Sequence, residues 1–324
     1  MKITVLAYPG SLGAEIFGFC DSLLIADHMS AAFMGATKPV FDVRVTGVSG
    51  RSTTLAGGTK IRFHRPHRRP DLLVVPGFDF RRIADLQPRL RMLGAQAALI
   101  ARMFRRGIPV ASICVGAFVL GEAGVLDGRR VATAWLFAAE LARLFPAAVV
   151  EPEAMFVEDS GVVSTGAFSS GYDLAVHLLR KHGRGEIARM ISRMTFLDAQ
   201  RQSQAPFADA ALLDRSKGAF SDAVKQWLLQ RLSKRYRLNL LARAFNVSSR
   251  TLLRRFNTEC AESPLSYLRR MRIEAAKKLL VSTRLSVATI TEQAGYEDPS
   301  TFVRMFNRRV GHTPARYRQR FREA

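Results

Sequence analysis

The last third of the chain carries one short pattern twice, fifty residues apart. The first copy has Thr251, Arg254, Phe256, Asn257, Pro264 and Tyr267. The second has Thr301, Arg304, Phe306, Asn307, Pro314 and Tyr317 at the same spacing. Ala244 matches Ala294, Arg270 matches Arg320 and Arg272 matches Arg322. An internal repeat means one supersecondary unit used twice. Two copies of a small, Arg-rich helical unit suggest two reading heads on one nucleic acid.

Each copy fits a helix, a turn and a second helix. In the first, Asn239–Phe245 reads as a short helix, Asn246 and Val247 as the turn, and Ser248 or Ser249 as the cap of a helix over Ser249–Cys260. A hydroxyl at that position accepts an otherwise orphaned backbone N–H. Leu252 and Phe256 fall at i, i+4 on a core face, which leaves Arg250, Leu253 and Arg254 pointing outward. In the second, Val287–Ala294 is the first helix, Gly295 permits the turn and Asp298 caps. Phe302 and Phe306 face the core, with Ser300, Val303 and Arg304 outside. Leu265–Val281 between the copies reads as one helix of about four to five turns, able to fix the two heads relative to each other. Such heads would read successive major grooves about one turn apart, without needing a dimer.

Charge supports a nucleic-acid partner. The net charge is +22 and the pI about 11.1. Residues 218–324 hold 22 Lys+Arg and 8 Asp+Glu, a net of +14; the other 217 residues hold 27 and 19, a net of +8. A basic globular chain with its excess on a helical repeat suits a polyanion, with nucleic acid ahead of an anionic membrane. Three cysteines without metal-ligand spacing argue against a disulfide scaffold or a metal site and fit a reducing cytoplasm. The apolar part of the N-terminus is too short for a signal peptide, and the uncharged stretch Gly107–Gly121 is too short to span a bilayer.

Over residues 1–200, short apolar runs alternate with helical patterns. Strands are expected at Ile3–Tyr8, Phe41–Val48, Asp71–Val75 and Ile108–Ile113, and shorter ones near Val149 and Val162. Helices are expected at Ala14–Met29, Leu90–Arg106, Trp135–Leu144, Tyr172–His182 and Glu186–Ala199. This alternation predicts an α/β fold, a flavodoxin-like sandwich around a parallel sheet. Gln200–Pro206 is polar and lacks periodicity, and from about Asp209 the chain reads as helix; the expected division is a linker over 201–217 and an all-α domain over 218–324.

The run Ala111-Ser-Ile-Cys-Val-Gly-Ala-Phe118 places Cys114 where a strand ends and a helix begins, between small neighbours. That is the logic of a nucleophile elbow, and a helix N-terminus favours a thiolate. A packed structural cysteine has the same local signature.

Two resemblances follow from these residues. The run Gly295–Arg318, with Pro299, Thr301, Phe302, Arg304, Phe306, Asn307, Gly311, Pro314 and Tyr317, resembles the signature of AraC/XylS-type transcription regulators. The resemblance implies two helix-turn-helix units, promoter DNA as partner and, often, activation through RNA polymerase. Carried over, it gives Arg250, Leu253 and Arg254 in the first unit and Pro299, Ser300 and Arg304 in the second as base-facing candidates. Pro299 has no side-chain donor, so its part would be apolar or structural.

Residues 1–200 resemble the PfpI-like, class I glutamine amidotransferase-like fold found at the front of the GlxA group of these regulators. Enzymes of this fold often have a His after the Cys; here it is Val115. A Thr-His-Trp common in the GlxA group is Thr133-Ala134-Trp135, and a Pro-Gly-Gly is Pro76-Gly77-Phe78. Each departure removes a base or crowds the oxyanion region, so no catalytic residues are assigned. Glu15 lies where the fold often places an acid near the Cys; a surface glutamate favouring a helix start is the alternative reading.

The expected function is a cytoplasmic, sequence-specific regulator that senses a small-molecule effector or dimerises through residues 1–200. The ligand-pocket candidates are Glu15, Gly77, Cys114, Val115 and Trp135, at the carboxyl ends of the parallel strands. No cofactor, metal or membrane partner is expected. Two alternatives remain: a thiol hydrolase or amidotransferase-like enzyme fused to a DNA-binding domain, and a first domain that only dimerises.

Overall fold

Leu72–Val75 are buried at four successive positions, which requires cover on both faces of the strand they form. This strand lies inside a six-stranded sheet in a computed structural model that describes residues 1–194, 203–208 and 219–322. The chain divides into two units, Met1–Gln204 and Ala205–Ala324.

In the first unit the strands are β1 (Lys2–Leu6), β2 (Asp42–Thr46), β3 (Ser52–Thr54), β4 (Lys60–Arg62), β5 (Leu72–Val75), β6 (Val110–Ser112), β7 (Arg130–Val131), β8 (Val149–Val150), β9 (Phe156–Asp159) and β10 (Val162–Thr165). The main sheet has the order β2-β1-β5-β6-β10-β9. Val5 of β1 stands opposite Val45 of β2 and Val74 of β5 in parallel register. The fully parallel sheet expected from the sequence is corrected at one edge, where β9 runs antiparallel to β10. Only Ser160 and Gly161 join these strands, both with positive φ, and so tight a hairpin can connect only antiparallel neighbours. Two further pairs stand apart, β3 with β4 and β7 with β8.

The helices of this unit are α1 (Gly13–Met34), α2 (Leu86–Arg91), α3 (Gly94–Arg105), α4 (Gly116–Glu122), α5 (Ala138–Leu144), α6 (Ser170–Lys181) and α7 (Gly185–Met194). They gather in two groups, α1 with α6 and α7, and α4 with α2 and α3. The single helix expected at Leu90–Arg106 is two helices, interrupted at Met92–Leu93. Trp135–Phe137 forms a 3-10 turn ahead of α5. Residues 195–199 of the helix expected at Glu186–Ala199 lie outside the described residues. By length and composition α1 could cross a membrane. Its Ile16, Phe19, Leu23 and Ala26 join the domain core, while Phe17, Leu24, Ile25, Phe33 and Met34 are exposed.

Of the expected linker, residues 201–202 and 209–217 lie outside the described residues. Gln204 is no solvated connector: it is 1% exposed and its amide donates to the carbonyls of Thr133 (2.8 Å) and Ala154 (2.9 Å).

The second unit holds α8 (Ala219–Leu229), α9 (Leu238–Ala244), α10 (Ser249–Cys260), α11 (Pro264–Ser282), α12 (Val287–Gln293), α13 (Pro299–Val310) and α14 (Pro314–Phe321). It has two small cores. One gathers Val224, Leu228, Leu241, Leu252, Phe256 and Tyr267; the other Ile273, Leu280, Ile290, Phe302, Phe306 and Tyr317. Helix α11 supplies both, through Tyr267 and Leu268 at one end and Ile273 to Leu280 at the other. Its 19 residues span about 28 Å at 1.5 Å per residue. Pro206 and Phe207 also pack within this unit: Phe207 meets Phe321 edge to face, and the Tyr317 hydroxyl reaches the Pro206 carbonyl.

Candidate functional site

In the two helix pairs, α9–α10 and α12–α13, the second helices are capped and ended alike. Ser248 caps α10 by accepting from Thr251 N–H, and Asp298 caps α13 by accepting from Ser300 and Thr301 N–H. Each second helix ends in a left-handed residue, Ala261 or Gly311, whose N–H returns to Asn257 or Asn307 at 2.8 Å. Ser263 and Thr313 then cap the next helices, each with Pro at its start, Pro264 and Pro314. Arg270 pairs with Glu262, and Arg320 with His312, again fifty residues apart.

Upstream of α10 and α13 the offset is forty-nine. Asn246 and Gly295 both take positive φ in the turn, and Val247 N–H to Ala242 O matches Tyr296 N–H to Thr291 O. The second turn therefore holds one additional residue before its cap. The match of Ala244 with Ala294 is corrected accordingly: Ala294 is fully buried, whereas Ala244 is exposed.

Leu252, Phe256, Phe302 and Phe306 are fully buried, so the opposite faces of α10 and α13 are fixed outward. Arg250, Leu253 and Arg254 are exposed on α10; Pro299, Ser300 and Arg304 are exposed on α13. Val303, expected outside, is half-buried against the second core. Arg304 reaches back to the Thr301 hydroxyl at 3.4 Å. Arg272 was visible in the sequence only as a repeat match. Its buried guanidinium donates to Leu232 O (2.8 Å) and Lys234 O (2.7 Å). A Cβ on Gly295 would lie 2.7 Å from Leu232 O and 2.9 Å from this guanidinium.

In the first unit, strands β1, β5 and β6 end beside one another and bring Tyr8, Gly77 and Cys114 together with Glu15 of α1. The Glu15 carboxylate accepts from Gly77 N–H at 2.6 Å. Burial pushes its pKa up to about 8, opposed by the Gly77 and Cys114 hydrogen bonds. Tyr8 donates its hydroxyl to Pro76 O; burial and then the Glu15 charge raise its pKa. Cys114 has φ of 54°, a left-handed conformation, with its N–H on Thr165 O and its carbonyl accepting the Thr133 hydroxyl. A Cβ on Gly77 would meet the Val115 side chain at 3.0 Å and the Glu15 carboxylate at 3.1 Å, so the approach is tight.

Four of the five pocket candidates, Glu15, Gly77, Cys114 and Val115, thus share one site. Trp135 belongs to the neighbouring turn, where its N–H donates to Gln204 Oε1 at 3.1 Å. The site is closed: Glu15, Cys114 and Val115 are 2%, 7% and 3% exposed. An activated thiol at the helix start is not what forms. Burial first, and the adjacent Glu15 second, hold the Cys114 pKa well above that of a free thiol. Four of the five histidines of this unit engage elsewhere: His64 with Val45, His67 with Thr4 and Asp42, His177 with Glu158 and His182 with the Phe41 ring.

Two families match the chain, the helix-turn-helix domain over residues 241–320 and the DJ-1/PfpI family over residues 40–181. The protein therefore joins an N-terminal DJ-1/PfpI-like domain to a C-terminal helix-turn-helix domain, a combination that resembles a family of bacterial helix-turn-helix transcriptional regulators. It is 26% identical over 256 residues to the HTH-type transcriptional regulator CdhR of Pseudomonas aeruginosa, covering 78% of this chain and 73% of that protein. It is 28% identical over 228 residues to the HTH-type transcriptional regulator GlxA of Rhizobium meliloti, covering 70% of each. A solved Vibrio parahaemolyticus protein described as a transcriptional regulator shares the fold, with TM-score 0.50, 19% identity and coverage of 61% of this chain and 99% of that one. No single member of the group stands apart as the match. These relatives are named as regulators rather than enzymes, and among the described residues no group of three or more His, Cys, Asp or Glu could hold a metal ion.

Proposed function

We propose that the protein is a sequence-specific DNA-binding transcription regulator with two helix-turn-helix heads on one chain. The observation that carries the reading is the outward face shared by α10 and α13, on a domain of net charge +14 over residues 218–324. Arg254 and Arg304 hold the same place in the two helices. A guanidinium there can bond bidentately to guanine O6 and N7 in a major groove. The surrounding Arg and Lys bind phosphates, which gives affinity without sequence information. Arg250, Leu253, Pro299 and Ser300 complete the two reading faces.

Residues 1–204 then serve as a sensing or dimerising domain for promoter-bound copies, with RNA polymerase as the downstream partner. A small-molecule effector would act through this domain. The enzyme alternative lacks support at Cys114, whose thiol is buried and whose neighbour Glu15 holds its proton at neutral pH, so it is a poor acceptor for the thiol proton. Selection of bound duplexes from a random library tests the reading. Recovery of a consensus whose affinity falls steeply with salt supports it; retention without a consensus counts against sequence-specific recognition.

A further inference from the structure

From Val43 to Pro70 the chain has seven Lys and Arg and no Asp or Glu. Much of that charge converges. A groove of about 800 Å³ is lined by Arg51, Lys60, Arg62, Phe63, His64 and Arg65 together with Gly50, Ser52 and Pro66. The register of the β3–β4 pair sets part of this. Ser52 stands opposite Arg62 and Thr54 opposite Lys60, and the period of two places Lys60 and Arg62 on one face.

Counter-charge is scarce there. Asp42, the nearest acid before the run, is engaged by Arg44 and His67. Arg51, Lys60, Arg62 and Arg65 form no salt bridge among the described residues. His64 is held in place, with its backbone N–H on Val45 O (2.8 Å) and its Nδ1 accepting from Val45 N–H (3.0 Å). With Nδ1 used as an acceptor, the neutral ring carries its proton on Nε2 and offers a further donor. Phe63 rests on Gly47, where an added Cβ would lie 2.1 Å from the ring. Phe63 and Pro66 supply an apolar lining between the cations. Like charges crowded on one face repel, and a bound anion relieves that repulsion. The volume is that of a small-molecule site, and a concave groove suits a compact ligand better than a duplex.

We infer that this groove binds a small polyanion with two or more phosphate or carboxylate groups. It is separate from the closed Glu15–Cys114 site and does not depend on the DNA-binding reading.

The test is equilibrium binding of two probes, benzene-1,3,5-tricarboxylate and pyrophosphate, to the full chain. Three double variants accompany the parent: Arg62→Gln with Arg65→Gln in the groove, Arg102→Gln with Arg105→Gln on exposed positions of α3, and Arg254→Ala with Arg304→Ala in the helix-turn-helix domain. All remove the same charge from surface positions. The expected result is saturable binding of at least one probe, weakened about tenfold or more in the groove variant alone, as expected for the loss of two charge-assisted contacts. Preference for the tricarboxylate would identify carboxylates as the ligand class, and preference for pyrophosphate would identify phosphates. Equal weakening in the α3 variant would reduce the effect to general charge attraction and overturn the proposal. Loss only in the Arg254 and Arg304 variant would move the anion to the DNA-binding domain and overturn it as well. No probe binding, with duplex DNA affinity lowered in the groove variant, would make the surface a phosphate-backbone contact instead.

Discussion

Glu15 is a carboxyl kept from water in a domain core, so its protonation is tied to folding. Its folded pKa of about 8 lies above its ordinary value of 4.5. The folded state therefore holds a proton that the unfolded state releases between these values. The stabilisation is complete below about pH 4.5, declines as pH rises and is lost above about 8. Urea midpoints of the first unit in the full chain should fall across that window, and Glu15→Gln should flatten the profile. A parent profile as flat as the variant's would contradict the burial argument. Cys114 provides a second check. Native alkylation near neutral pH should be slower at Cys114 than at the half-buried Cys260, and the isolated thiol should support no amide or ester hydrolysis above a Cys114→Ala control. Faster labelling at Cys114 would mean that the site opens to solvent. The strand-to-helix position of Cys114 was legible in the sequence; its nearness to Glu15 came only from the resemblance to the fold, since a helix-start glutamate reads equally well as a surface residue. The environment of Cys114 was not legible, because a helix N-terminus and burial shift a thiol in opposite directions and only packing decides between them.

At the scale of elements, the second unit depends on a few polar residues that periodicity does not reveal. Removing the Ser248 hydroxyl leaves an α10 backbone N–H without its cap, and Ser248→Ala should destabilise the domain by about 1 kcal/mol. Arg272→Leu should cost more, about 1–3 kcal/mol, since it leaves the carbonyls of Leu232 and Lys234 without their donor. Denaturant unfolding of the full chain, followed at the C-terminal unit, measures both. An Arg272→Leu variant as stable as the parent would mean that water replaces the guanidinium. The helix boundaries of this unit were largely readable because caps, Pro and left-handed residues sit at fixed places in both copies. The one-residue difference between the turns was hidden by the exact fifty-residue match downstream. It emerged only from paired positive φ values at Asn246 and Gly295. In the first unit, strand pairing was less legible: the β3–β4 pair carries charged and small residues in place of an apolar run, and β9 gave no buried stretch of its own.

For the whole molecule, the proposed function has two heads on one chain reading one duplex. Arg254→Ala and Arg304→Ala should each weaken specific binding by about 1–3 kcal/mol while leaving phosphate-driven affinity largely in place. The most direct measurement is a base-substitution scan of a selected duplex site against the parent and these two variants. Each variant should lose discrimination at its own block of base pairs, the blocks separated by about one helical turn. Relaxation of the same base pairs by both variants, or of none by either, would contradict it.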